Sequence, residues 1–172
     1  MGKISKVASV KLIIGFIYQD KPVFDKLKLP LQRIFGAFDF ESAELDFNFT
    51  DYYTPEFGAG LKRKFVSFKK PIRPEELFKI KLYTNRLEQK SSSSGKRLIN
   101  IDPGYLTLAK LVLASTKDYA HRIYLKKGIY AEVTLSYKGH SFQPLEWSYP
   151  DFRTQGYLDI FNQIRGLILP EK

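Results

Sequence analysis

Val10-Lys11-Leu12-Ile13-Ile14-Gly15-Phe16-Ile17-Tyr18, followed at once by Gln19-Asp20-Lys21-Pro22-Val23-Phe24, decides how this chain folds. The first stretch is rich in β-branched and aromatic residues and stops at a polar pair, so it reads as a buried strand. Asp20 then offers a helix N-cap ahead of Pro22, and Val23, Phe24, Leu27, Leu31, Ile34 and Phe35 recur at helical spacing. Pro30 predicts a kink or break in that helix, and Gly36 its end.

Downstream, Leu45, Phe47 and Phe49 alternate with Glu44, Asp46 and Asn48, the pattern of a half-buried strand with an acidic outer face. Residues 51–60 read as a loop through Pro55, Gly58 and Gly60, and residues 61–69 as a third strand. Pro74 and Glu75-Glu76 announce a second helix, with Leu77, Ile80, Tyr83, Thr84 and Leu87 near its buried side. The serines at 91–94 with Gly95 make a linker, and residues 97–101 a fourth strand. Strand, helix, strand, strand, helix, strand is the order of the ferredoxin-like split βαβ unit, so the expected class is α+β.

The remainder is expected to elaborate that core. Asp102-Pro103 is predicted to cap an added helix containing Leu106, Ala109, Leu111 and Leu113. Residues 120–125 and 129–137 form a hairpin, Phe142 starts a further strand, and residues 154–169 form a closing amphipathic helix. With Lys126-Lys127-Gly128 as the loop, hairpin partners sum to 254. Ile123 then faces Ala131, Leu125 faces Ile129, Arg122 faces Glu132 and Tyr124 faces Tyr130. A cross-strand ion pair and a wall of a ligand site are both readings of Arg122 and Glu132.

Composition bounds the rest. The chain has 172 residues, 44% hydrophobic and 15% aromatic, which suits one globular domain over 1–172 and excludes intrinsic disorder. With no cysteine, disulfide scaffolds, thiolate metal sites, Fe–S clusters and cysteine nucleophiles are excluded. Neither a membrane span nor a signal peptide is legible, and a cytoplasmic location is expected. The formal charge of +10 points to anionic partners, if the basic residues cluster. The cluster within a strand is Lys62-Arg63-Lys64.

The densest run of reactive residue types extends from Asn100 to Glu132. It suggests a pocket for a phosphate-bearing or otherwise anionic small molecule, a nucleotide among the options. Lys62, Arg63, Lys110, Lys117 and Arg122 are its candidate cations, with Tyr105 beside them and Asp51 and Tyr53 closing a loop over it. His121 is the candidate base at neutral pH, and Asp102 and Glu132 the candidate carboxylates. No metal-ligand spacing appears, and the cofactor is left unknown. No P-loop is present, because Gly95-Lys96 is followed by Arg97 and Lys90 stands where the first glycine belongs. An RNA-binding module is the alternative. Phe65-Val66-Ser67-Phe68 matches the end of the third-strand stacking motif, while Arg63 and Ile13 occupy the other platform positions. A subunit of a larger assembly is the third reading, which an exposed apolar patch on the closing helix would favour.

Residues 100–125, residues 128–135, Thr50-Asp51-Tyr52-Tyr53, Leu61-Lys62-Arg63-Lys64-Phe65 and Trp147-Ser148-Tyr149-Pro150-Asp151 together resemble an uncharacterised prokaryotic family, domain-of-unknown-function family 4416. The resemblance covers essentially the whole chain and implies a single-domain extent without a mechanism. Some members carry a "GTP-binding protein" label, which no P-loop in this sequence supports.

Overall fold

The opening strand becomes the centre of the molecule. In the computed structural model, which describes residues 2–4 and 6–168, β1 (Lys11–Tyr18) is buried along its whole length. It pairs antiparallel with β4 (Lys62–Phe68) on one side and β5 (Ile99–Leu106) on the other. Around them lie β2 (Phe38–Glu41), β3 (Leu45–Asp46), β6 (Lys110–Ser115), β7 (Ile123–Lys126), β8 (Ile129–Lys138) and β9 (Ser141–Pro144). All join one nine-stranded sheet in the order β2-β4-β1-β5-β6-β8-β7, with β3 paired to β4 and β9 to β8. Every pairing is antiparallel. Four α-helices complete an α+β fold: α1 (Lys21–Phe35), α2 (Thr54–Phe57), α3 (Leu77–Lys90) and α4 (Gln155–Gly166).

Alternation along β1 divides the core. Leu12, Ile14, Phe16 and Tyr18 pack with Phe24, Leu27 and Leu31 of α1 and Ile80 and Leu87 of α3. Ile13 joins Phe65, Leu111, Leu113 and Leu135 against Tyr157, Phe161 and Ile164 of α4. A strand buried on both faces needs a continuous apolar run rather than alternation, which is what residues 12–18 supply.

Several expectations are corrected. The helix predicted after Asp102-Pro103 does not form. β5 runs on to Leu106, and the chain turns back at residues 107–109 into β6. Leu111 and Leu113 enter the α4 side of the core, while Val112 and Ala114 pack with Leu77 and Ile129 on the other. Two-sided burial explains that apolar run, which carries no helical period of its own. The Thr107 hydroxyl makes the turn by accepting the Ala109 and Lys110 N–H groups, at 3.1 Å each.

The expected second strand shrinks to Leu45–Asp46, so Phe47 and Phe49 lie beyond it, a strand not expected from the sequence (β2) precedes it, and the 51–60 loop contains α2. α1 continues through Pro30, because Leu27 and Leu31 on either side of it are anchored in the core. Asp20 occupies the N-cap position but makes no side-chain cap bond. The hairpin keeps Ile123 opposite Ala131 and Tyr124 opposite Tyr130, then shifts so that Lys126 rather than Leu125 faces Ile129. The loop is therefore the two-residue turn Lys127-Gly128, with φ of 53° and 75° as a primed turn demands. All four β7 residues are exposed, so Ile123 and Leu125 do not form a buried apolar side. The closing helix is observed over 155–166, and Leu169 lies outside the described residues. No described helix is long and apolar enough to cross a membrane.

Candidate functional site

Pro103 shapes the site. The β5–β6 ladder ends at Gly104 opposite Leu113, one residue short of Pro103, which has no N–H to continue it. Two residues earlier, the backbone of Ile101 is served from α3 instead of from β6. Its N–H donates to the Glu88 carboxylate at 2.7 Å, and its carbonyl accepts from Lys81 Nζ at 2.9 Å. Gly104 permits the close approach on the paired side, where a Cβ would stand 2.4 Å from the Val112 carbonyl. Beyond that point β5 and β6 part, and a cavity of about 680 Å³ opens between them. Asn100 and Asp102 line it from β5, residues 113–115 from β6, Thr116 and Lys117 from the segment after it, and Lys81 and Glu88 from α3; Phe47, Phe49, Tyr52 and Tyr53 line it from the loop after β3. Tyr149 and Asp151 lie near the 150–153 turn.

Arg63 lies at the depth of this cavity. It is 2% exposed, and among the described residues its one side-chain hydrogen bond is a long contact from NH1 to Asp102 Oδ2 at 3.5 Å. Its Nε and the Tyr157 hydroxyl are the two buried side-chain polar atoms without a partner among the described residues. Carbon surrounds the guanidinium: the ring centroids of Phe65, Phe152 and Tyr157 lie 4.6, 5.4 and 5.9 Å from its central carbon. Gly15 makes room for it, since a Cβ there would sit 2.7 Å from an Arg63 nitrogen. Asp102 also accepts from Asn100 Nδ2 at 2.7 Å and stands 3.5 Å from Lys81 Nζ. Burial raises the pKa of the Asp151 carboxyl against the pull of Arg63. Burial likewise raises Glu88, although Lys81 and Arg97 oppose it. The Tyr53 hydroxyl is pushed up by burial and by Asp102.

The expected Arg122–Glu132 pair forms and is buried on both sides, with Arg122 Nε donating to Glu132 Oε2 at 2.6 Å. Arg122 also donates to Ser115 Oγ at 2.6 Å, the Lys117 carbonyl at 3.0 Å and the Tyr149 hydroxyl at 2.9 Å. With most of its N–H groups committed, it braces the wall of the cavity. Burial works against its charge, and the bond to Glu132 overrides that to raise its pKa. His121 places Nε2 3.2 Å from Glu132 Oε2 and stacks on Trp147 at 5.3 Å, outside the cavity lining. Lys117 lines the cavity and sits over the Tyr52 ring at 4.5 Å, with no carboxylate partner among the described residues.

Of the residues singled out in sequence, Arg63, Asp102, Lys117, Arg122, Glu132 and Tyr53 therefore meet at one cavity. The others lie elsewhere. Asp51 is exposed beside the lining residues Thr50 and Tyr52. Lys62 is on the surface, paired with Asp46 at 2.5 Å. Tyr105 lies within β5, packed against the α1–α3 side of the core. Lys110 begins β6 and is exposed, so it is not a charge on an apolar helix. Lys81, Glu88, Arg97 and Asp151 also line the cavity, and none belongs to a catalytic or binding motif in the sequence. Lys81 and Glu88, two helical turns apart beside the Leu77–Ile80–Thr84–Leu87 stripe, were the legible signal, because charges at the margin of a buried stripe need a purpose.

The surface that base stacking requires is covered. Phe65, Phe68 and Ile13 are fully buried, and Lys64 is buried against Glu41 at 3.0 Å. Glu44 and Asp46 are occupied by the Tyr18 hydroxyl at 2.8 Å and by Lys62. No cluster of three or more metal-ligating side chains occurs among the described residues. α4 buries its apolar stripe and leaves Leu167 exposed, so it presents no broad apolar patch.

No curated protein and no solved structure matches this chain. The family model described as "Domain of unknown function (DUF4416)" matches residues 8–167. That match spans the sheet, the cavity and α4 alike, and the chain belongs to the DUF4416 family.

Proposed function

We propose that this protein binds an anionic small molecule in the cleft between β5 and β6, with Arg63 as the buried anchor. The observation that supports this is the state of Arg63. A guanidinium with five N–H donors is 2% exposed, yet it makes one long contact to a carboxylate and leaves Nε unpartnered. Burying a charge with so little compensation is costly, and an anion would offset that cost. The lining adds the usual features of a small-molecule site, a concave volume of about 680 Å³ with aromatic walls and a few polar groups. An acid carrying a flat ring fits this chemistry. The fold reading that accompanies it takes β2-β4-β1-β5 with α1 and α3 as a ferredoxin-like split βαβ unit, extended through β5 into the remaining strands.

A thermal-shift panel tests the site with adenosine monophosphate, glucose 6-phosphate, indole-3-acetate and neutral indole-3-acetamide at low and moderate salt. At 100 times its dissociation constant a ligand stabilises the folded state by about 2.7 kcal/mol, a readily measured rise in melting temperature. At least one acid is expected to shift the protein at both salt concentrations while the neutral compound does not. Silence from every acid would overturn the proposal.

A further inference from the structure

Charge pairing within the cavity deepens that reading, and the following rests on it. Most of the cations there are already matched: Arg97 by Glu56 at 2.7 Å and Glu88 at 2.8 Å, and Arg122 by Glu132. At the inner end Arg63 and Lys81 share Asp102, each at 3.5 Å. Asp151, 5% exposed, also lines this end. Arg63 and Lys81 are balanced by Asp102 and Asp151, and Lys117 is a lining cation with no carboxylate partner among the described residues, so the lining leaves room for a single negative charge. A doubly charged group placed there would face Asp102 and Asp151 at low effective dielectric, where repulsion is strong. Shape is compatible with such a group. Phe65, Phe152 and Tyr157 pack carbon around the guanidinium, so its N–H edge remains as the hydrogen-bonding part. A planar, singly charged acceptor with two oxygens meets that edge in the plane.

We infer that the ligand is a planar aromatic or heteroaromatic carboxylate, its acid group forked on Arg63 and its ring among Tyr52, Tyr53 and Tyr149. A phosphate can fork on the same edge, but its second charge would face Asp102 and Asp151 with no cation left to match it. The burial that raises the Asp151 carboxyl lowers the negative charge opposing the ligand, in keeping with this assignment.

The test uses a matched set of probes on the intact chain: 2-naphthoate, 2-naphthyl phosphate and 2-naphthamide, titrated by calorimetry at pH 7.5. The expected order is naphthoate tightest, with naphthyl phosphate at least tenfold weaker and the amide weaker still. The Arg63→Lys variant keeps the charge and loses the fork, so naphthoate should lose tenfold or more; its melting curve reports whether it remains folded. If that variant unfolds, Lys81→Met supplies the second reading. It removes a cation that competes for Asp102, and it should weaken naphthoate binding at least threefold. Naphthyl phosphate binding as tightly as or more tightly than naphthoate would overturn the carboxylate assignment while supporting an anion site. Amide binding equal to that of both acids, or no binding by any probe, would overturn the anion site as well. Unchanged naphthoate affinity in a folded Arg63→Lys variant, or in Lys81→Met, would place the acid elsewhere.

Discussion

Arg122 and Arg63 are both buried guanidiniums beside one cavity, and their surroundings separate their roles. Arg122 spends its donors on Glu132, Ser115, the Lys117 carbonyl and Tyr149, joining the end of β6 to β8 and to the 150–153 turn. Removing it leaves Glu132 as a buried carboxylate facing His121 and Thr134. Breaking a buried pair by deleting one partner costs about 3–5 kcal/mol. Arg122→Ala should therefore lower the urea unfolding free energy by about that amount, and a change under about 1 kcal/mol would show the brace to be dispensable. Had Arg122 served ligand binding alone, its loss would spare the fold. Residue type and strand register were enough to pair Arg122 with Glu132. They were not enough to show that the pair is sealed from water and already saturated, because that depends on Ser115 and Tyr149 arriving from distant parts of the chain.

At the scale of elements, α2 is a short helix that cannot hold itself together and depends on its attachments. Glu56 takes Arg97 through Nε at 2.8 Å and NH2 at 2.7 Å, and Lys96 Nζ donates to the Pro55 carbonyl at 3.2 Å. The bond from Arg97 holds the Glu56 carboxyl below its ordinary pKa, against burial, which raises it. A depressed folded-state pKa contributes stability above the unfolded value and loses it as pH falls through the folded one. Glu56→Gln should thus destabilise the protein at pH 7 by about 1–2 kcal/mol. The gap from the wild type should close below the ordinary carboxylate range. A gap independent of pH between 7 and 3 would show that the ion pair does not hold α2. The turn signals around α2 were legible as a loop, because Pro55, Gly58 and Gly60 break longer order. Its partner Arg97, 41 residues away, was not.

For the whole molecule, the sheet grades from a centre buried on both faces to an exposed margin. β1 is buried throughout, whereas all of β7 is exposed and lies at the edge of the sheet order. Amide protection follows burial and ladder closure, so the cooperative core should be β4-β1-β5. Hydrogen exchange read by mass spectrometry should show the peptide covering residues 11–18 among the slowest and that covering 123–126 among the fastest strand peptides. Equal protection in the two would mean that the edge is covered in solution.

Local pattern in the chain was enough for the buried central strand, both long helices that flank it, the hairpin's first two pairings and the closing helix. Each of these rests on local periodicity, on a turn residue or on a cap, all properties of neighbours in the chain. Tertiary structure alone decided that residues 102–115 form two strands, since a run buried on both faces carries no period to read. It also decided that Pro103 ends a ladder instead of opening a helix, and that Arg63 lies beneath aromatic rings from β4, the 150–153 turn and α4. A charge's burial is set by what the rest of the chain places over it, so the feature that most distinguishes this cavity is a property of the folded chain.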